Sequence, residues 1–548
     1  LPRTSDDRHI RDITFSSEVA MSQSTARADV VIIGSGINAL VAGALLARGG
    51  KKVILCERNS APGGAIATST DHVPGFTIEL LSSWHPLFVG GPAYGALAAD
   101  LARHGLEYLN TELPTGVVCS DGTAFLSTDP EITAAEMTRL GDAENWNALM
   151  ADFGSKADLA FGLLGTDFWR RNAWKFGWKA YRQLGKRGLM ASGADLLEPA
   201  APWAQRTFSS PVTRSLLAPW ALHNGLGPDD SGSAFITTVI GAAIAMGGMP
   251  IPVGGGRSLV KALVGIIENN AGEVRTHADV VHITTSGDRA TGITLADGTQ
   301  IDATESVLAS VTPPALYGNL LDAAAVSTER LASAERFRFG RAGFQIHIAM
   351  NEPPRWNGDP RLAQTALVHI LDGMDSLSES VNAANRGYLP RRPTIVVGQP
   401  ATIDPSRVPE GHGLLWIQLQ ENPRVVLGDL AGEIDPGDGT WTPALRDAYA
   451  ERVISQLEPH ISNIRSAAIA QFTLGPADLE AMNMNLVGGD PYAGDCRIDQ
   501  YALWRPLSLA TGHATGISNL WQIGASTHPG PGLGGGSGYQ VAMRLLGK

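Results

Sequence analysis

Two glycine-punctuated strands at opposite ends of this 548-residue chain constrain its fold more than any other feature. Near the start, Val30-Val31-Ile32-Ile33 runs into Gly34-Ser35-Gly36-Ile37-Asn38-Ala39. Close to the other end, Asn519-Leu520-Trp521-Gln522-Ile523 runs into Gly524-Ala525-Ser526-Thr527-His528-Pro529-Gly530 and further glycines. A β-branched apolar run that breaks on closely spaced glycines marks a buried parallel strand turning sharply into a helix. The chain is therefore expected to return at its far end to complete the structure it began.

The first turn carries specific chemistry. Gly34 permits a tight bend, and Gly36, lacking a side chain, lets a pyrophosphate approach the backbone N–H groups of Ile37 and Asn38 at the helix start. Ala39 fills the third glycine position, where a small residue allows helix and strand to pack closely. The next strand, Lys52-Val53-Ile54-Leu55-Cys56, ends on Glu57-Arg58. The Glu57 carboxylate can accept hydrogen bonds from both hydroxyls of a ribose and disfavours a 2′-phosphate, which argues against NADP. A second glycine pair follows in Pro62-Gly63-Gly64-Ala65. NAD-dependent dehydrogenases have no need of it, whereas an extended FAD requires the chain to pass close to its diphosphate and ribityl. FAD is the expected cofactor, an enzyme the expected class.

Composition narrows the rest. The length exceeds one compact core, so two or more domains are expected. A net charge of −12 without a basic domain argues against nucleic acid as a partner. Three separated cysteines, Cys56, Cys119 and Cys496, offer neither a dithiol redox pair nor a zinc site, and suit a reducing, cytoplasmic setting. No metal is expected. Residues 1–20 are polar, with no apolar run of a secretory leader, and 1–26 are expected to be an extension outside the fold. The uncharged stretch 234–253 is rich in Gly, Thr and Ala and closes on Pro250 and Pro252. It is expected to be a buried helix lining a substrate cavity rather than a membrane span.

The stretch 96–250 reads as helices with loops. Within it, residues 168–187 interleave Trp169, Trp174, Trp178 and Tyr181 with Arg171, Lys175, Lys179, Arg182 and Lys186. Such a segment suits either peripheral contact with anionic lipid or an amphipathic helix whose tryptophans pack inward. The acidic chain favours inward packing. Farther on, 273–284 and 290–301 alternate as strands joined by an Asp297-Gly298 hairpin turn, and Glu305–Ser310 reads as a separate short strand. A β-meander inserted in a Rossmann-like domain is the architecture of the large FAD-binding families, where the Val281 backbone would lie near the adenine. Segments 342–350, 393–398 and 413–419 predict a second sheet, and 443–462 a helix. The fold class is α/β: a Rossmann-like FAD-binding domain with a β-meander from 27–95, 253–320 and 485–548, and an α+β substrate domain formed by two insertions, 96–252 and 321–484.

These residues resemble the phytoene-desaturase-related flavoproteins of the carotenoid desaturase type, in particular the branch of pyridine nucleotide-disulfide oxidoreductase domain-containing protein 2. Besides both glycine turns, the resemblance rests on Gly254-Gly255-Gly256, Pro476-Ala477-Asp478-Leu479-Glu480, Gly488-Gly489-Asp490, Asp499-Gln500 and Arg505-Pro506. It implies that Gly524 and Ala525 reach the ribityl-phosphate, that Gly532, Leu533 and Gly534 face the flavin N1/C2=O edge, and that Ser83 and Trp84 pass beside the isoalloxazine. No cysteine lies in the closing glycine segment, so the FAD is expected to be non-covalent.

The activity these features imply is a two-electron dehydrogenation, desaturation or saturation of a mostly apolar small molecule by hydride transfer at flavin N5. Oxygen or a quinone is the expected electron acceptor. Flavin-dependent C–N oxidation of an amine is the alternative, and a non-catalytic FAD-binding interaction protein a third. His528, His85 and His223 are the candidate proton acceptors. The oligomeric state is open, with a dimer among the options.

Overall fold

The computed structural model describes residues 26–169, 173–508 and 512–548. All but the last residue of the expected extension, and Arg171 of the tryptophan-rich segment, lie outside them.

Ala26–Ile33 sits near the centre of a seven-stranded sheet, with Val53–Cys56 parallel on one side and Gln300–Ala309 parallel on the other. Its last four residues are buried, as a strand covered on both faces requires. Glu273–Arg275 extends the sheet beyond Val53–Cys56, and the meander Val280–Ser286 and Arg289–Leu295 extends it beyond Gln300–Ala309. The C-terminal strand Leu520–Gln522 pairs with Val307–Ala309. The two chain ends thus join one sheet through a shared neighbour. Gln300–Ala309 is one continuous strand, not the two elements its pattern suggests. Its first half pairs with the meander and alternates in burial, whereas its end, inside the sheet, is buried on both faces. The change of surroundings changes the sequence period along a single strand. The Asp297-Gly298 turn lies where expected, with Asp297 Oδ1 accepting from the Thr299 N–H at 2.9 Å.

The first and last helices are in backbone contact. Ile37–Arg48 is almost entirely buried, and Gly536–Leu545 crosses it. The Gly538 N–H donates to Asn38 Oδ1 at 3.2 Å, and a Cβ on Gly538 would lie 1.8 Å from the Asn38 carbonyl oxygen. Only hydrogen fits there.

A second seven-stranded sheet runs in the order Ala468–Leu474, Ala342–Met350, Gly413–Asn422, Ile395–Gly398, Leu367–Ile370, Thr115–Cys119, Gly122–Leu126. The helix expected after it is Pro443–Leu457. The hairpin Thr115–Leu126 corrects the all-helical reading of 96–250: two five-residue strands around Ser120-Asp121 are too short to stand out amid helices. The buried helix expected over 234–253 is Ser233–Gly247, and Ile251–Pro252 beyond it is a short strand. Among the described residues, no helix is long and apolar enough to cross a membrane.

Gly538→Ala is expected to cost about 1–3 kcal/mol through overpacking and to empty the cofactor site. Denaturant unfolding and flavin content would check this; an unchanged midpoint with full flavin would contradict the backbone contact.

Candidate active site

The two N-terminal glycine turns build one floor. Gly36 and Gly63 form a parallel bridge, and a Cβ on Gly64, at φ +62°, would lie 2.9 Å from Gly36 Cα. Ser35 links them to the acid. Its hydroxyl donates to Glu57 Oε2 at 2.5 Å and accepts from the Gly63 N–H at 3.1 Å, while its own N–H donates to the same Oε2 at 3.0 Å. The Asn59 N–H donates to Glu57 Oε1 at 2.9 Å. A carboxylate oxygen accepts about two hydrogen bonds, so Oε2 is filled and Oε1 has room for one ribose hydroxyl. That is narrower than the double acceptance suggested by sequence.

A cleft lined by Gly34, Gly36, Glu57, Arg58, Gly64 and Ala278–Val280 leads into a larger cavity. Gly36, Ser310, Val311, Asn483 and Asn485 border both. Val280, not Val281, lines the cleft; Val281 turns its side chain outward and is 45% exposed. The cavity brings together Gly36, Ile37, Asn38, Ala65, Ser83, Trp84, Gly524, Ala525, Gly532 and Leu533, all expected around FAD. Ala39 is buried in the helix–sheet core, where it allows the close packing read for it. Gly534 stands just behind the lining, its Cβ position 3.4 Å from the Leu87 carbonyl oxygen. Leu533 holds φ +63°, a conformation a leucine adopts only where its surroundings impose it.

The groove fits FAD. A Cβ on Gly36 would meet no protein atom within 4 Å, so that approach is open for a pyrophosphate. Ser83 Oγ and Trp84 Nε1 are buried without a protein partner, and both residues line the cavity. The glycine triplet 254–256 has a different use. The Gly254 N–H donates to Asp404 Oδ2 and the Gly256 N–H to Glu79 Oε1, each at 2.8 Å. Buried Arg407 lies against both carboxylates, 3.1 and 3.7 Å away. This triplet closes an internal ion cluster.

The three candidate histidines separate. His223 lines the cavity, with Nε2 at 3.0 Å from His369 Nε2. His85 is buried, Nδ1 3.1 Å from the Tyr108 hydroxyl, and does not line the cavity. His528 is not among the lining residues either; its ring meets Phe168 edge-on at 5.4 Å. Burial pushes His223 and His85 down to about 3 and His528 down to about 4, the last helped by neighbouring His513. Burial thus favours the neutral form of all three imidazoles, and of the three His223 is the one that borders the cavity.

Sequence reasoning missed several lining residues. Ser35 stood inside a glycine motif whose middle position is normally unremarked. Trp416, Gln418 and Gln420 alternate with Ile417 and Leu419, so a period-2 count places the polar pair on one face of an otherwise apolar strand. Asn485 carried no signal: its side chain donates to the Ser310 carbonyl and accepts from the Thr312 N–H, pinning the end of a strand remote in sequence. Asp490 and Arg505, quoted only as motif residues, are frame. Asp490 accepts from the N–H groups of Gly340, Tyr492 and Gly494, while Arg505 Nε donates to the Ala525 carbonyl at 2.9 Å.

Glu57→Gln is expected to weaken FAD binding roughly tenfold to a hundredfold, since a charged acceptor becomes a neutral one. Flavin retained after dialysis would measure it; full retention would remove Glu57 from the site. The histidines give a second expectation. Their folded pKa values lie below the ordinary 6.5, so between 6.5 and about 4 the unfolded chain binds more protons than the native one. Stability is complete above 6.5 and falls as pH drops through this window. A denaturation midpoint that stays level from about pH 7 to about pH 5 would contradict neutral burial.

Comparison with known proteins agrees with this geometry. The family model for flavin containing amine oxidoreductases matches residues 40–458. One of the component chains of the limonene dehydrogenase of Castellaniella defragrans is 24% identical over 540 residues, covering 94% of both chains. Pyridine nucleotide-disulfide oxidoreductase domain-containing protein 2 of Mus musculus is 24% identical, covering 94% of this chain and 92% of its own. A lycopene-forming phytoene desaturase of Paracoccus is 28% identical over 323 residues, 58% of this chain and 59% of its own. The solved structure of cyclohexylamine oxidase from Brevibacterium oxydans has a similar fold, with a TM-score of 0.55 at 15% identity over 95% of this chain and 99% of its own. The chain belongs to the flavin containing amine oxidoreductase family and is an FAD-dependent oxidoreductase.

Proposed function

We propose that this enzyme removes two hydrogens from a carbon–carbon bond of an uncharged, mostly apolar small molecule. The lining of the cavity carries this proposal: among the described residues, no Asp, Glu, Lys or Arg side chain contributes to it. Its wall combines apolar Trp220, Ile240, Ala243, Ile244, Met249, Leu367 and Trp416 with uncharged polar side chains, among them His223, Gln418, Gln420, Asn483 and Asn485. An ammonium entering it would lose its hydration and find only neutral acceptors such as the Gln418 and Gln420 amides, which disfavours a charged amine. Two relatives are named for dehydrogenating limonene and desaturating phytoene, the same class of change.

FAD held along Gly36, Ala65, Ser83 and Gly524 would supply a hydride acceptor and a route for the electrons to oxygen or a quinone. The chain's own residues position and exclude. Ile240, Ala243 and Ile244, on one helix, press an apolar substrate toward the glycine floor and keep water from the reacting bond. His223 and His369 meet through their Nε2 atoms, so one of them carries the proton there. With Nε2 engaged, His223 has Nδ1 left as a neutral donor or acceptor for one oxygen of the substrate. The alternative, oxidation of a C–N bond, draws support from the family and from the aromatic faces of Trp84, Trp220 and Trp416, which can attract a cation.

Anaerobic bleaching of the flavin by apolar alkenes, alcohols and amines separates the two. The proposal expects bleaching by an uncharged compound and a product lighter by two hydrogens; bleaching by amines alone, with a carbonyl product, would replace it. His223→Phe is expected to raise the KM of an oxygen-bearing substrate roughly tenfold with the flavin spectrum unchanged.

A further inference from the structure

The helix Ala173–Asp195 exposes the aromatic side chains that inward packing should have hidden. Trp174 is 66% exposed, Trp178 56% and Tyr181 47%. The rotation of the helix is fixed by its inner face. Phe176 packs where a Cβ on Gly162 would come within 2.6 Å of its ring, Ala180 is buried, and Gln183 Nε2 donates to the Ser155 carbonyl at 2.9 Å. The outer face is therefore a stripe of Trp174, Trp178 and Tyr181, the last two stacked at 5.6 Å. One position on around the helix runs a second stripe, Lys175, Lys179 and Arg182, and Lys186 follows just past its end, all exposed. Lys179 has an acidic neighbour, Asp158, at 3.0 Å. The helix ends its regular course at Gly185, where φ is +66°.

We propose that this face docks the enzyme on the surface of an anionic lipid bilayer. Tryptophan and tyrosine beside a row of cations is the arrangement that suits the interface, rings among the headgroups and ammonium groups against phosphate. The charge is local: five Lys and Arg and a single Asp lie in this helix, on a chain with net charge −12. A second copy of the chain is a poor occupant, since a twofold contact would set the basic stripe against itself. Nucleic acid would meet the negative field of the remaining surface. The docking face lies two helices from the cavity. Val239 and Ala242 of Ser233–Gly247 pack on Phe153 and Ala160, while Ile240 and Ala243 of that helix face inward.

Flotation of the FAD-loaded protein with phosphatidylcholine vesicles, with and without an equal share of phosphatidylglycerol, tests it. The wild type is expected to float with the anionic vesicles and to be released by salt. The pair Trp174→Ser and Trp178→Ser, and separately Lys175→Glu with Arg182→Glu, are expected to lower the bound fraction roughly tenfold. Flavin absorbance and unfolding midpoint should stay unchanged. Failure of the wild type to float, or equal flotation of both variants, overturns the proposal. So does an aromatic variant that shifts the sedimentation coefficient without lipid, which would assign the face to self-association. Loss of polyglutamate binding with flotation intact would assign it to an acidic protein.

Discussion

The contact between Asn38 and Gly538 joins two helices five hundred positions apart at a separation no side chain could occupy. Much of the site depends on that approach. It sets the first helix, whose N-terminus offers Ile37 and Asn38 to the groove, and the last helix, into which the Gly532–Gly535 loop leads. Were the helices held apart by one methyl group, the cavity wall formed by Gly524 and Leu533 would part from the floor formed by Gly36.

The cofactor end of this architecture was legible because its constraints are local. A pyrophosphate needs bare backbone, so Gly34, Gly36, Gly63 and Gly64 announce themselves, and Glu57 follows at the end of the next strand. The substrate end was legible only in part. The helix 233–247 showed itself by lacking charge, and its Ile240 and Ala243 do face the cavity. Nothing local marked Asn485 or Trp220, whose partners come from strands remote in sequence. The tryptophan helix misled in the other direction. Overall charge argued for packing its rings inward, but the inner face was already satisfied by Phe176, Ala180 and Gln183. Net charge is a property of the whole surface and says little about one helix.

Neutrality governs the interior. Burial holds His223 and His369 uncharged, Asp404 is paired with Arg407 while burial pushes the Glu79 carboxyl up toward its neutral form, and no charged side chain reaches the cavity among the described residues. In such surroundings, selectivity comes from what cannot be solvated: a charged molecule loses water and gains nothing in return.

The strand Gln300–Ala309 takes Ala26–Ile33 on one edge and Leu520–Gln522 on the other, so the sheet that Ala26–Ile33 begins is completed only by residues made long after it. During synthesis, the strand waits with that edge unpaired while more than two hundred residues are added. A nascent chain therefore has no complete place for FAD until Leu520–Gln522 and the glycines after it have emerged from the ribosome, and a product truncated before them leaves a bare strand edge open to pairing with its neighbours.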